Sequence, residues 1–70
     1  MKAVSGKQMC GILERHGRYL DRIRSSHHIH KKTGHAAALA IPVHGNKALK
    51  TGLQRGLMKQ AGLSEADLSS

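Results

Sequence analysis

Seventy residues with twelve Lys/Arg against four Asp/Glu carry a net charge of +8 and a pI near 10.4. A chain of this length buries only ~60% of its unfolded surface, and with no Trp or Phe and one Tyr its core must come from aliphatic side chains. The lone Cys10 excludes an intrachain disulfide and a multi-cysteine zinc site and points to a reducing, cytoplasmic home, and no leader pattern or membrane-spanning run is read, so no membrane association is expected.

The first helix is marked by Ser5 with Gln8 three residues on, a capping box across which Val4 can staple to Met9. Met9, Ile12, Leu13 and His16 then line one helical stripe, and Gly17 occupies the stop position. Residues 18–24 read as extended, with Tyr19, Leu20 and Ile23 as apolar members and Tyr19 expected in the core. Ser25–Ser26 forms a turn, His27 to Lys32 a second strand, and Thr33–Gly34 another turn. A third strand runs from Ala36 to Val43, with Pro42 tolerable only at an end or edge.

Asn46 reads as the N-cap of a second helix, with Leu49, Leu53, Leu57 and Ala61 as its stripe and Met58 widening it. Gly62–Leu63 is a Schellman stop. The pair Gly52 and Gly56 is expected to pack closely on a sheet, and Ser64 to Asp67 to cap a short terminal turn. The expected fold class is α+β in the order α-β-β-β-α, with two helices packed on one face of a three-stranded antiparallel sheet. Residues 1–70 are taken as a single domain, the last seven a short turn or frayed tail.

A compact domain this basic attracts polyanions through counterion release, and nucleic acid is the default polyanion of a cytosol. Three of the six histidines stand together in the second strand, flanked by Arg22, Arg24, Lys31 and Lys32. Strand alternation puts His27, Ile29 and Lys31 on one side and His28, His30 and Lys32 on the other. Ile29 is the strand's apolar residue, so its side is expected to face the core, leaving His28 and His30 on the open face. Metal chelation by that pair is disfavoured, since no carboxylate or thiol adjoins in sequence and the cations oppose a dication. Two readings stand level on chemistry alone: polar side chains of a solvated strand, or an imidazole working as general acid–base at a phosphodiester.

The segments VSGKQMCGILERHG, YLDRIRSSHHIH and IPVHGNKALKTGLQRGLMKQAGL, in that order, resemble the HicA family of small bacterial toxins over about residues 1–63. The family's Gly-Ser-x-His motif falls on Ser25-Ser26-His27-His28, so the resemblance assigns the catalytic role to His28. Ser25 replaces the usual glycine, His30 stands where a large residue such as Tyr is frequent, and the alanines after His35 are atypical. The resemblance implies a double-stranded-RNA-binding-domain-like fold and a metal-independent endoribonuclease, without cofactor, that cleaves mRNA. It also implies a HicB-type antitoxin partner that forms a hetero-oligomeric complex and covers the histidine.

Under that reading Ser26, His30 and His44 are candidate supporting residues. Arg22, Arg24, Lys31, Lys32, Lys47 and Lys50 are candidate RNA contacts, the last two in the opening turns of the second helix. His16 is expected to be structural at a helix end, His35 a turn residue, and Cys10 a small buried hydrophobe. A non-catalytic RNA-binding module of the same fold is the alternative, and a small basic DNA-binding protein a third.

Overall fold

The structure, a computed structural model, describes residues 1–69. Helix α1 spans Gly6–Arg15, strands β1, β2 and β3 span Tyr19–Arg24, His27–Lys32 and His35–Pro42, and helix α2 spans Thr51–Ala61. A 3₁₀ turn at Glu65–Ser69 follows. The sheet is antiparallel in the order β1-β2-β3, so the histidine strand is central.

The predicted ends of α1 are present. Ser5 Oγ accepts from the Gln8 amide at 3.1 Å, and Gln8 Oε1 accepts from the Ser5 amide at 2.9 Å, satisfying two orphan donors. Gly17, at φ +91°, reverses the chain while the Arg18 amide donates back to the Leu13 carbonyl at 3.0 Å. Val4 and Met9 are both fully enclosed in the core, with Ile12, Leu13, Leu39 and Ile41. Gly6 permits this packing: a Cβ there would overlap the Pro42 carbonyl, so α1 approaches the end of β3 backbone to backbone.

The two faces of β2 are the reverse of the expectation. Cross-strand partners share a face; His28 lies opposite Ile23 and Ile41, and His30 opposite Leu20 and Leu39. Leu39 and Ile41 belong to the core, so His28 and His30 lie on the helix side, and His27 and Ile29 on the open side. Ile29 misled because β2 is central. Its side chain stands between Arg22 and Ala40 in the register and is only 9% exposed although no helix covers it.

Three further expectations are corrected. Tyr19, paired with Lys31 on the open face, is about half exposed, as are Leu20 and Ile23 on the helix side, because the helices cover the edge strand β1 only in part. Helix α2 starts at Thr51 rather than after Asn46, which instead lies in a turn. Backbone pairing with the N-terminal segment wins there: Ala48 bridges Ser5, and the Leu49 amide donates to the Val4 carbonyl at 2.8 Å. Gly52 and Gly56 do not pack on the sheet; a Cβ at either would meet no heavy atom within 4 Å.

The core side of α2 is therefore rotated from the predicted stripe. Leu57 and Met58 are buried while Leu53 is 40% exposed, and Gln54 takes the inward position. Its side chain accepts from the Val4 amide at 3.1 Å and donates to the Lys2 carbonyl at 2.7 Å, clasping α2 to the N-terminal segment. The stop is as predicted, with Gly62 at φ +68° and the Leu63 amide bonded to the Met58 carbonyl at 2.9 Å. Leu68 of the terminal turn returns to the core. Asp67 accepts from the Ser64 amide and hydroxyl at 2.7 and 3.1 Å, which lowers its pKa below the usual carboxylate value.

Candidate nucleic-acid interface

The Ser25–Ser26 turn joins β1 to β2, with Arg24 paired to His27 directly across it. Such two-residue hairpins favour positive φ, and Ser25 adopts φ +55°. A glycine takes this conformation without steric cost, so the serine stores strain beside the candidate site. The Ser26 carbonyl accepts from the Val43 amide at 2.8 Å. The end of β3, and His44 beyond it, are thereby held against the hairpin.

His28 follows this turn on the helix side of β2 and is half-buried. No hydrogen bond or ion pair to its ring forms among the described residues. His30, two residues on, has a different fate. It is wholly enclosed, with Nε2 2.9 Å from Glu14 Oε2 on α1 and Nδ1 3.4 Å from the His28 carbonyl. The short contact to a carboxylate requires Nε2 to carry a hydrogen. His30 therefore ties β2 to α1 beneath His28 and does not present its ring to solvent, contrary to the expected open-face position. Its enclosure and its bond to Glu14 leave it able to support the strand that carries His28, not to touch a substrate.

The basic residues divide into groups. Arg22 and Arg24 share the open face with His27, all three exposed. Arg22 Nη1 lies 2.8 Å from Asp21 Oδ2, and Lys31 Nζ lies 3.6 Å from the same oxygen. Exposed pairs of this kind are worth only ~0–1 kcal/mol, so both cations can exchange Asp21 for a phosphate. Lys32 reaches toward Gly17 on the other side: its Cε would lie 3.5 Å from a Cβ at that glycine. His44, Lys47 and Lys50 line one groove together with Pro42, Leu49 and Leu53.

Lys47 is a loop residue and not part of the helix, its amide donating to the His44 carbonyl at 3.0 Å. Lys50 is the N-cap of α2 and makes no side-chain cap. The first turn of α2 carries no acidic residue, so the unpaired amides and the two lysines give this end of the molecule one sign of charge.

Other sequence assignments are settled by their contacts. His16 Nδ1 lies 2.8 Å from the Ile12 carbonyl and Nε2 3.3 Å from Asp67 Oδ1, joining α1 to the terminal turn. His35 opens β3 beside the Thr33–Gly34 turn. Burial, followed by the Glu14 carboxylate, pushes the Cys10 thiol up to about 11, which leaves it protonated and unreactive at neutral pH. Among the described residues no group of three or more His, Cys, Asp or Glu is arranged to hold a metal ion. No described helix is long and apolar enough to cross a membrane.

Four contributors went unread in the sequence: Gly6, Glu14, Arg18 and Gln54. Arg18 is 6% exposed, and its Nη1 finds no hydrogen-bond partner among the described residues. Only Gln54 left a trace, as the polar residue interrupting the apolar series of α2. Glu14 holds the histidine strand through a partner sixteen positions away.

Two helices on one face of a three-stranded antiparallel sheet, in the order α-β-β-β-α, define an α+β protein of double-stranded-RNA-binding-domain-like fold. Its hairpin and the start of α2 bring imidazoles and cations to the surface. Residues 6–63 match the family model described as HicA toxin of bacterial toxin-antitoxin, and the chain belongs to that family. Its place is accordingly in a toxin–antitoxin module. No curated protein sequence matches the chain.

Proposed function

We propose that this toxin is an endoribonuclease that cleaves mRNA, with His28 as its general acid–base, and that a HicB-type antitoxin silences it by covering that residue. The observation that carries the reading is the state of His28. The histidine aligned with the family's motif is partly exposed and has no protein partner on its ring among the described residues, whereas His30 beside it is consumed by Glu14. A proton-transfer group needs a ring nitrogen open to substrate, and His28 retains one.

In the proposed reaction His28 takes the proton of a ribose 2′-hydroxyl, and the 2′-oxygen attacks the adjacent phosphorus. The bond to the 5′-oxygen breaks, that oxygen gains a proton, and the products are a 2′,3′-cyclic phosphate and a 5′-hydroxyl. No protein nucleophile or metal is required by this chemistry. Lys47 and Lys50 hold phosphates and offset the extra negative charge of the phosphorane, while the hairpin cations Arg22, Arg24, Lys31 and Lys32 hold phosphates further along the RNA. Ser26 supports the site through its carbonyl bond to Val43, and His44 stands on the far side of that bond. The toxin acts in the cytoplasm as one domain over residues 1–70.

The test is incubation of the purified toxin with RNA and with the same sequence carrying 2′-deoxyribose, with and without a chelator. Cleavage of the RNA alone, unaffected by chelator and leaving cyclic phosphate ends, is the expected result. Retained RNA binding without cleavage would make the protein a binding module instead.

A further inference from the structure

The groove between the end of β3 and α2 is not explained by phosphate contacts alone. It measures about 400 Å³ and has an apolar floor of Pro42, Leu49 and Leu53 beneath a rim of His44, Lys47 and Lys50. A site meant only for phosphate would not need such a floor. Leu53 is the anomaly: a large apolar side chain left 40% exposed on a helix whose inward position is given to Gln54.

We propose that this groove is a nucleobase subsite, taking one unstacked base of single-stranded RNA beside the scissile linkage while Lys47 and Lys50 hold the flanking phosphates; the proposal rests on the ribonuclease reading above and specifies its substrate as single-stranded. Three observations carry it. The volume lies at the low end of small-ligand sites, which span roughly 300–1,000 Å³. No carboxylate lines the groove, so its charge complements a polyanion threaded past an apolar floor. Planar bases bind by stacking on apolar and imidazole surfaces while cations track the backbone, the combination present in Leu53, Pro42 and His44.

The groove is also tied to the hairpin that carries His28. Ile41 lies opposite His28, and the next residue, Pro42, pairs with His27 at the same end of the sheet, a step of ~3.3 Å along β3. The Val43–Ser26 bond then fixes the groove wall to the hairpin at 2.8 Å. A second depression, lined by Arg24, His27 and Ile29, lies on the opposite sheet face from His28 and carries no cation from the start of α2. A base seated against His44 and Leu53 belongs, in this proposal, to the same strand as the nucleotide whose 2′-hydroxyl meets His28, which makes the groove the part of the site able to discriminate sequence.

The test uses the full chain and short single-stranded RNA analogues made uncleavable by 2′-deoxyribose, with an abasic nucleotide stepped through each position. Binding is followed by fluorescence anisotropy. For wild type, the abasic residue at one position is expected to weaken binding roughly tenfold. That penalty should vanish in Leu53→Glu and shrink in His44→Ala, both at exposed positions, with folding verified by circular dichroism. Indifference of wild type to every abasic position overturns the subsite, as does a penalty that persists unchanged in both variants. Unchanged RNA binding by Leu53→Glu with loss of antitoxin binding would assign the groove to a protein partner and likewise overturn it. Because these analogues are not cleaved, the outcome is separate from the ribonuclease reading, which fails only if all-ribose RNA stays intact.

Discussion

His30 shows how one contact changes a residue's role. Its ring is enclosed, and Glu14 supplies the acceptor at 2.9 Å that makes this burial tolerable. Glu14→Ala removes the partner and leaves a buried donor unpaired, so stability should fall by ~1–3 kcal/mol in urea unfolding. Ser25 is the opposite case, a residue whose removal should help. At φ +55° a side chain is strained, and Ser25→Gly should raise stability by up to about 1 kcal/mol, partly offset by the greater freedom of glycine in the unfolded chain. A lower midpoint for Ser25→Gly would show that the turn is not strained. The motif position of His28 was legible in the residues, but its face was not. Period-two alternation sorts a strand into two sets and does not say which set the helices cover. The single apolar residue chosen to decide, Ile29, is shielded by its strand neighbours rather than by the core.

Elements whose signals are local were read well. The capping box of α1, the glycine stops of both helices, the Ser25–Ser26 turn and the order of three strands follow from residues close in sequence. The start of α2 was misread because the competing structure is distant: residues 48 and 49 pair with residues 5 and 4 instead of entering a helix. Gly6 belongs to this scale as well. It sits in the first turn of α1, where most residues are acceptable to the helix, yet a Cβ would overlap the Pro42 carbonyl. Gly6→Ala must push α1 away from β3 and should cost ~1–3 kcal/mol, the range of overpacking, despite the better helix propensity of alanine. Thermal unfolding of the variant checks this; an unchanged or higher midpoint would mean that the helix and strand separate without loss.

At the scale of the molecule, charge and fold argue together. A net charge of +8 on seventy residues is a polyanion-binding balance, and the structure gathers several of the cations around the hairpin and the start of α2. Membership of the HicA toxin family, over residues 6–63, gives that surface its context in a toxin–antitoxin module. The central claim is that one imidazole, His28, performs the proton transfer while His27 and His30 do not. The most direct measurement is the RNA cleavage rate of His28→Ala beside that of His27→Ala, each with RNA affinity measured in parallel. The account predicts a loss of about 10²–10⁴-fold in rate for His28→Ala with binding retained, and little change for His27→Ala. Cleavage by His28→Ala at the wild-type rate would contradict it.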